Sequence, residues 1–375
     1  MGYQNQYESW RNDPEGFWAG EARRLHWQTA PEKIYKRNES GDRWYVDGVM
    51  NTCFNCVDRH VEAGHGARVA FIHDSPMTGT TSYISYADLL DRVNWVAAIM
   101  QDKGVEKGDR VIIYMPMIAE TAIAALACAR LGAIHSIVFG GFAAAELATR
   151  LDDAKPRLIL AASCGLEPGR IVDYKPLLDG AIESAAHKPE ACLIWQRDES
   201  PAPLIADRDY EWQALEGEAR KAKRQIACEP VMATDPLYIL YTSGTTGTPK
   251  GVVRDNGGHL VALSWAMENI YNIAPGEVFW SASDFGWVVG HSFILYGPLA
   301  IGATSVIYEG KPIGTPDAGA FWRVISEHGV KALFTAPTAF RAIKKEDPQG
   351  KLVENYDIRA FKTLYLAGER VDPDT

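Results

Sequence analysis

The 375-residue sequence predicts an α/β protein made of two doubly wound, mostly parallel sheets. Three observations carry that expectation. From Val69 onward, short apolar runs alternate with helix-period segments across brief turns; the same rhythm restarts at Leu237; and 47% hydrophobic content over this length suffices for two buried cores. Parallel strands joined by crossovers present their ligand sites at the strand C-terminal ends.

Residues 1–62 carry Trp10, Trp18, Trp27 and Trp44 with little sustained periodicity, and read as an N-terminal extension with short helices packed on the main body. The main domain spans 63–375, with subdomains expected at about 63–232 and 233–375. In the first, a strand at 69–73 leads to a helix over 85–103, a strand at 110–115, an alanine-rich helix over 118–131, a strand at 133–139, a helix over 143–154 and a strand at 157–162. A strand and then a charged, Pro-interrupted connection fill 190–235. In the second, strands are expected at 237–242, 251–254, 278–281, 304–308, 332–335 and 363–367. Helices are expected over 258–271, through 290–299, and over 318–328 and 337–345.

Acidic residues outnumber basic ones by 48 to 38, a net charge of −10, which disfavours a nucleic-acid partner because phosphate backbones are bound by excess Lys and Arg. Any anionic ligand must then be held locally, so small-molecule substrates are expected. Six scattered cysteines suit a reducing compartment, and residues 1–6 show no basic n-region or apolar h-region, so no signal peptide is expected there. The most apolar stretch, 111–139, is broken by Pro116, Glu120 and Arg130, which argues against a membrane span. A cytoplasmic location is expected.

The chemistry-bearing motif is Tyr241-Thr242-Ser243-Gly244-Thr245-Thr246-Gly247-Thr248-Pro249-Lys250-Gly251. Glycines let backbone N–H groups approach an anion, hydroxyls donate to it and Lys250 supplies charge. A Walker A loop needs Gly-Lys-Ser/Thr after four residues and a helix; here Pro249 stands five residues after Gly244, Gly251 follows Lys250, and a strand follows. The segment instead resembles the phosphate-binding signature of the acyl-adenylate-forming (AMP-binding) family. Ser283-Asp284-Phe285-Gly286-Trp287-Val288-Val289-Gly290-His291-Ser292, Tyr114-Met115-Pro116-Met117, Phe139-Gly140-Gly141-Phe142 and Thr335-Ala336-Pro337-Thr338-Ala339 are similar to its short-chain acyl-CoA synthetase branch. Asp255-Asn256, Glu167-Pro168-Gly169-Arg170 and Leu366-Ala367-Gly368-Glu369-Arg370 most resemble propionyl-CoA synthetases.

The resemblance implies ATP-dependent activation of a short-chain carboxylate, propionate before acetate, to acyl-AMP and pyrophosphate. Transfer to CoA then releases AMP, and ATP, Mg²⁺ and CoA are the implied cofactors. By the same resemblance Thr242, Ser243, Gly244, Thr245, Thr246, Gly247 and Lys250 hold the ATP phosphates, and Gly368, Glu369 and Arg370 meet the adenine. Trp287, Val288, Val289 and Ala367 wall the acyl pocket; valine is typical of the acetate-specific pattern where Ala367 stands. Gly140, Gly141, Glu167, Pro168, Gly169 and Arg170 face CoA. His291 is read as pocket lining, because a carboxylate nucleophile needs no general base. An acetyl-CoA synthetase and a non-catalytic nucleotide-binding fragment stay open as alternatives.

Cys53, Cys56, His60 and His65 offer four soft ligands, but only three residues separate the Cys pair from the His pair where a zinc finger has about twelve. A packed helix over 52–62 explains them better, and no metal ligand set is expected in this chain. The family pattern runs on past Thr375 to a Tyr-Trp-Gln-Thr-Glu-type motif, a ribose-binding aspartate and a small C-terminal domain with its catalytic lysine. The expectation is therefore an N-terminal portion truncated before that domain and not competent alone.

Overall fold

A computed structural model describes residues 2–38, 41–242 and 249–375. Two large sheets organise it. The seven-stranded sheet runs, in spatial order, Asp209–Glu211, Ala191–Trp195, Leu158–Ala162, Arg110–Tyr114, Ile134–Val138, Pro236–Thr242 and Lys250–Asp255. The six-stranded sheet runs Thr363–Leu366, Ala332–Thr335, Val278–Ala282, Thr304–Tyr308, Val69–Ser75 and Thr80–Ser85. Each is parallel except for its last strand.

Both sheets cross the expected division at 232/233. The Val69–Ser75 strand lies in the six-stranded sheet, where Phe71 pairs with Ser305, and the Pro236–Thr242 strand joins the seven-stranded sheet through Tyr238 and His135. Each unit therefore takes strands from both halves of the chain.

Local sequence explains the helices. Ser85 and Asp88 form a reciprocal capping box that starts the Tyr86–Asp102 helix. The Ala119–Leu131 helix ends at Gly132, which is left-handed at φ 67°, and every residue of it is buried. Its small side chains let it pack on the Tyr86–Asp102 helix and on the Arg110–Tyr114 and Ile134–Val138 strands. Its two charges are paired: Glu120 with Arg92 at 2.7 Å and Arg130 with Asp58 at 2.9 Å. A continuous apolar core runs from these elements to Phe71, Phe285 and Leu299, so it spans both sheets.

The extension forms helices Tyr3–Asn12 and Pro14–Ala22, and Asp13 caps the second by accepting from the Gly16 N–H at 2.9 Å. Trp18 packs edge-on against Trp265 of the main body at 5.9 Å. The packed helix expected over 52–62 is wound as π-helical turns, Phe54–Asp58 and Val61–His65. Its ligand-like residues turn to backbone: Cys56 Sγ lies 3.8 Å from the Tyr296 carbonyl and His60 Nε2 2.7 Å from that of Leu299.

Elements absent from the sequence reading are the Thr80–Ser85 strand, the hairpin Cys164–Glu167 with Arg170–Asp173, and helices Tyr174–Ser184 and Trp212–Lys221. The helix expected through 290–299 comprises an α-turn, a π-helical stretch His291–Tyr296 and a closing turn Gly297–Ala300.

Candidate active site at the strand C-terminal ends

The C-terminal ends of parallel strands from both sheets supply the residues singled out by motif. Phe139-Gly140-Gly141 follows Ile134–Val138, the phosphate loop follows Pro236–Thr242, Ser283 to Trp287 follows Val278–Ala282, and Ala367 to Arg370 follows Thr363–Leu366. Ser243, Gly244, Thr245, Thr246 and Gly247 lie outside the described residues. Their flanks are paired: Thr242 sits opposite Lys250 in the antiparallel ladder, which closes the loop.

Two glycines shape the Ser283–Gly290 segment. A Cβ on Gly286 would stand 3.0 Å from the Phe139 backbone, and one on Gly290 would stand 2.0 Å from the Asp284 carbonyl oxygen. The Gly286 N–H donates to Asp284 Oδ1 at 2.7 Å, and burial raises the Asp284 carboxyl to about 6, partly opposed by that N–H and by Lys311.

Trp287 is 50% exposed, with its ring 6.1 Å from that of Phe139, and Val288 is 42% exposed. Val289 instead packs into a cluster with Phe293 and Tyr365, and Ala367 is exposed, donating its N–H to the Thr335 carbonyl at 3.2 Å. Trp287, Val288 and Ala367 are thus exposed while Val289 is packed away, and the four expected wall residues do not close a pocket by themselves.

His291 is a correction. It is fully buried, stacked on Tyr238 at 4.5 Å and on His135 at 5.4 Å, and burial lowers it to about 4. With His259, lowered by burial to about 3, and His135, also lowered by burial, it forms a buried layer around Tyr238 and is no part of an exposed pocket wall.

Glu369 is engaged by protein: its carboxylate pairs with Arg341 and accepts the Thr338 N–H at 2.9 Å, and it is held below its usual range chiefly by Arg341. Gly368 is left-handed at φ 98°, and Arg370 is exposed.

The residues expected to face CoA fall in two places. Gly140, Gly141 and Glu167 line a narrow slot of about 60 Å³, together with Phe139, Tyr174, Asp284, Glu309 and Lys311. Pro168, Gly169 and Arg170 form the turn of the adjoining hairpin, with Gly169 left-handed at φ 75°. The Arg170 guanidinium is 2.7 Å from Glu167 Oε2 and its side chain is 68% exposed, so the pair is weak enough for an anionic ligand to compete.

Sequence reasoning missed Tyr174, Glu309 and Lys311, and gave Asp284 no role of its own within its motif. Glu309 is buried and accepts from Arg197 at 2.5 and 3.1 Å and from Ser75 at 2.8 Å, linking the two sheets at the floor of the cleft. A lone Glu-Gly-Lys after a strand carries no motif; only the topology brings it to the slot.

A family model described as AMP-binding enzyme matches residues 57–375, and one described as acetyl-coenzyme A synthetase N-terminus matches residues 3–56. The chain belongs to the AMP-binding enzyme family. Its α/β architecture with two mostly parallel sheets is that expected for such an enzyme. Among curated relatives it is 53% identical to acyl-CoA synthetase short-chain family member 3, mitochondrial, of Rattus norvegicus, over 97% of this chain and 53% of that protein. It is 43% identical to the propionate–CoA ligase of Escherichia coli strain K12, over 100% of this chain and 59% of the relative. The chain spans about half the length of the curated relatives it matches.

Among the described residues of this AMP-binding enzyme, two clusters have metal-ligand spacing: Cys53 with Asp58 and Cys228, and Asp74 with Glu327 and His328. Arg130 binds Asp58 and Arg323 binds Asp74, so each carboxylate already carries a guanidinium. Neither set suits Mg²⁺, which wants oxygen ligands without a competing cation. No described helix is long and apolar enough to cross a membrane.

Proposed function

We propose that this chain forms the substrate-binding part of an AMP-forming short-chain acyl-CoA synthetase that prefers propionate and accepts acetate. A carboxylate oxygen attacks the α-phosphorus of ATP, the bond to the β-phosphate breaks, and pyrophosphate departs; the CoA thiol then displaces AMP from the acyl carbon. The carrying observation is convergence. The paired flanks Thr242 and Lys250 of the phosphate motif, the Trp287 segment and the Gly140-Gly141 slot lie at C-terminal strand ends of the two sheets, where an α/β fold presents its ligand site.

In this reading Thr242 to Gly247 and Lys250 cradle the phosphates, and Gly368 to Arg370 approach the adenine. Trp287, Val288, Val289 and Ala367 limit the acyl chain, while Gly140, Gly141 and Glu167 to Arg170 receive CoA. Residues 1–62 act as the extension and 63–375 as the adenylating domain. The names of the rat and Escherichia coli relatives, a short-chain acyl-CoA synthetase and a propionate–CoA ligase, support this substrate class. The expected cytoplasmic location is kept as part of the proposal, although the rat relative is named mitochondrial.

Carboxylate-dependent exchange of pyrophosphate into ATP by the complete gene product tests the reading. Exchange with propionate supports it; none with acetate, propionate or butyrate overturns it.

A further inference from the structure

We propose that Asp284 takes the proton from the CoA thiol in the thioester-forming step. The inference rests on the synthetase reading above and names a residue to which that reading gives no role.

The geometry is that of a slot with one titratable group placed where it meets the acyl wall. The slot's volume of about 60 Å³ holds roughly four water-sized groups. Gly140 and Gly141 line it without side chains, together with Asp284 and Lys311. Phe139 lines the slot and its ring lies 6.1 Å from that of Trp287, three residues along the chain from Asp284, which joins the slot to the proposed acyl site.

One oxygen of Asp284 is occupied by the Gly286 N–H at 2.7 Å; among the described residues no hydrogen bond is made to Oδ2. The other charged and titratable groups facing the slot are Glu167, Tyr174, Tyr308, Glu309 and Lys311. Glu309 is bound by Arg197 and burial raises Tyr174 and Tyr308 above their usual range, which leaves Glu167 and Asp284 as acceptors, and of these only Asp284 belongs to the segment that carries Trp287. Desolvation raises Asp284 to about 6, so at neutral pH it is ionised yet nearer a thiol in proton affinity than an ordinary carboxylate.

In the step, Asp284 accepts the S–H proton, the sulfur lone pair forms the C–S bond, the acyl carbon–oxygen bond breaks, and AMP leaves with that electron pair. The test compares the two half-reactions of Asp284→Asn in the complete gene product. Asparagine keeps an oxygen for the Gly286 N–H and cannot take the proton. Acyl transfer from preformed acyl-AMP to CoA should fall by about 100-fold more than carboxylate-dependent pyrophosphate exchange. Its pH profile should lose the limb near 6 and follow thiol ionisation; a more acidic thiol acceptor should recover part of the loss, as should Asp284→Glu. Equal losses in both half-reactions, or transfer as fast as in the unsubstituted protein, would overturn the proposal. Absence of exchange in the unsubstituted protein would overturn the synthetase reading as well.

Discussion

The Tyr174 hydroxyl fills the space that a side chain on Gly140 would need: a Cβ there would stand 2.0 Å from Tyr174 Oη. The same hydroxyl is 2.3 Å from where a Cβ on Gly165 would lie, and the Tyr114 ring packs on the Tyr174 ring at 5.0 Å. The glycine at the strand end is therefore required by packing within the protein as well as by access for a ligand.

Gly140→Ala should displace Tyr174 into the slot, costing about 1–3 kcal/mol of stability and raising the KM for CoA more than that for ATP. Adding Tyr174→Leu, which removes the hydroxyl and the ring carbons that the new Cβ would meet at 2.0, 2.5 and 2.8 Å, should recover part of both losses. Thermal unfolding and steady-state kinetics of the single and double variants check this; a double variant no better than Gly140→Ala would refute the packing argument.

Arg197 and Glu309 form a buried pair between the sheets, so removing one partner leaves an uncompensated charge. Arg197→Met should destabilise by about 3–5 kcal/mol, and Arg197→Met with Glu309→Leu by much less. Urea unfolding of the three proteins decides it, and equal single and double costs would count against a strongly coupled pair.

The layer of His135, His259 and His291 sets an acid limit on stability. Burial lowers all three in the folded protein, so the unfolded chain binds more protons below its ordinary histidine value near 6.5. Their contribution is complete above about pH 6.5 and is lost as pH falls toward their lowered values, at about 1.4 kcal/mol per pH unit for each histidine. His291→Phe should flatten the slope of unfolding free energy between pH 6.5 and 5 by about that amount. An unchanged slope would mean that His291 is already protonated in the folded state.

Ala367→Val narrows the strand end beside the proposed acyl site. The propionate-to-acetate ratio of kcat/KM should fall by about tenfold or more, since one methylene is worth about 1–3 kcal/mol in such pockets. An unchanged ratio would remove Ala367 from the specificity wall.

Strands and helices of strong period were legible in the sequence. The Ala332–Thr335 strand has its expected bounds, and the Tyr86–Asp102 and Ala119–Leu131 helices differ from expectation only at their ends. Sheet membership was not, because a parallel strand's period says nothing of its partner: Phe71 pairs with Ser305 from the far half of the chain. The Thr80–Ser85 strand is polar and mostly exposed, and the Trp212–Lys221 helix carries only the short apolar stripe Trp212, Leu215 and Ala219 among charged residues, too brief to stand out within a Pro-interrupted connection. For the site, the glycine-rich and aromatic motifs were readable as contiguous strings. Tyr174, Glu309 and Lys311 stand outside every motif, and the fold alone brings them beside Asp284.

The fate of the carboxylate oxygen tests the central claim most directly. With propionate labelled in both oxygens with oxygen-18, ATP and CoA, the complete gene product should place one labelled oxygen in the phosphate of AMP and none in pyrophosphate. AMP without label, or label recovered in inorganic phosphate or pyrophosphate, would contradict an acyl-adenylate and the site assembled around it.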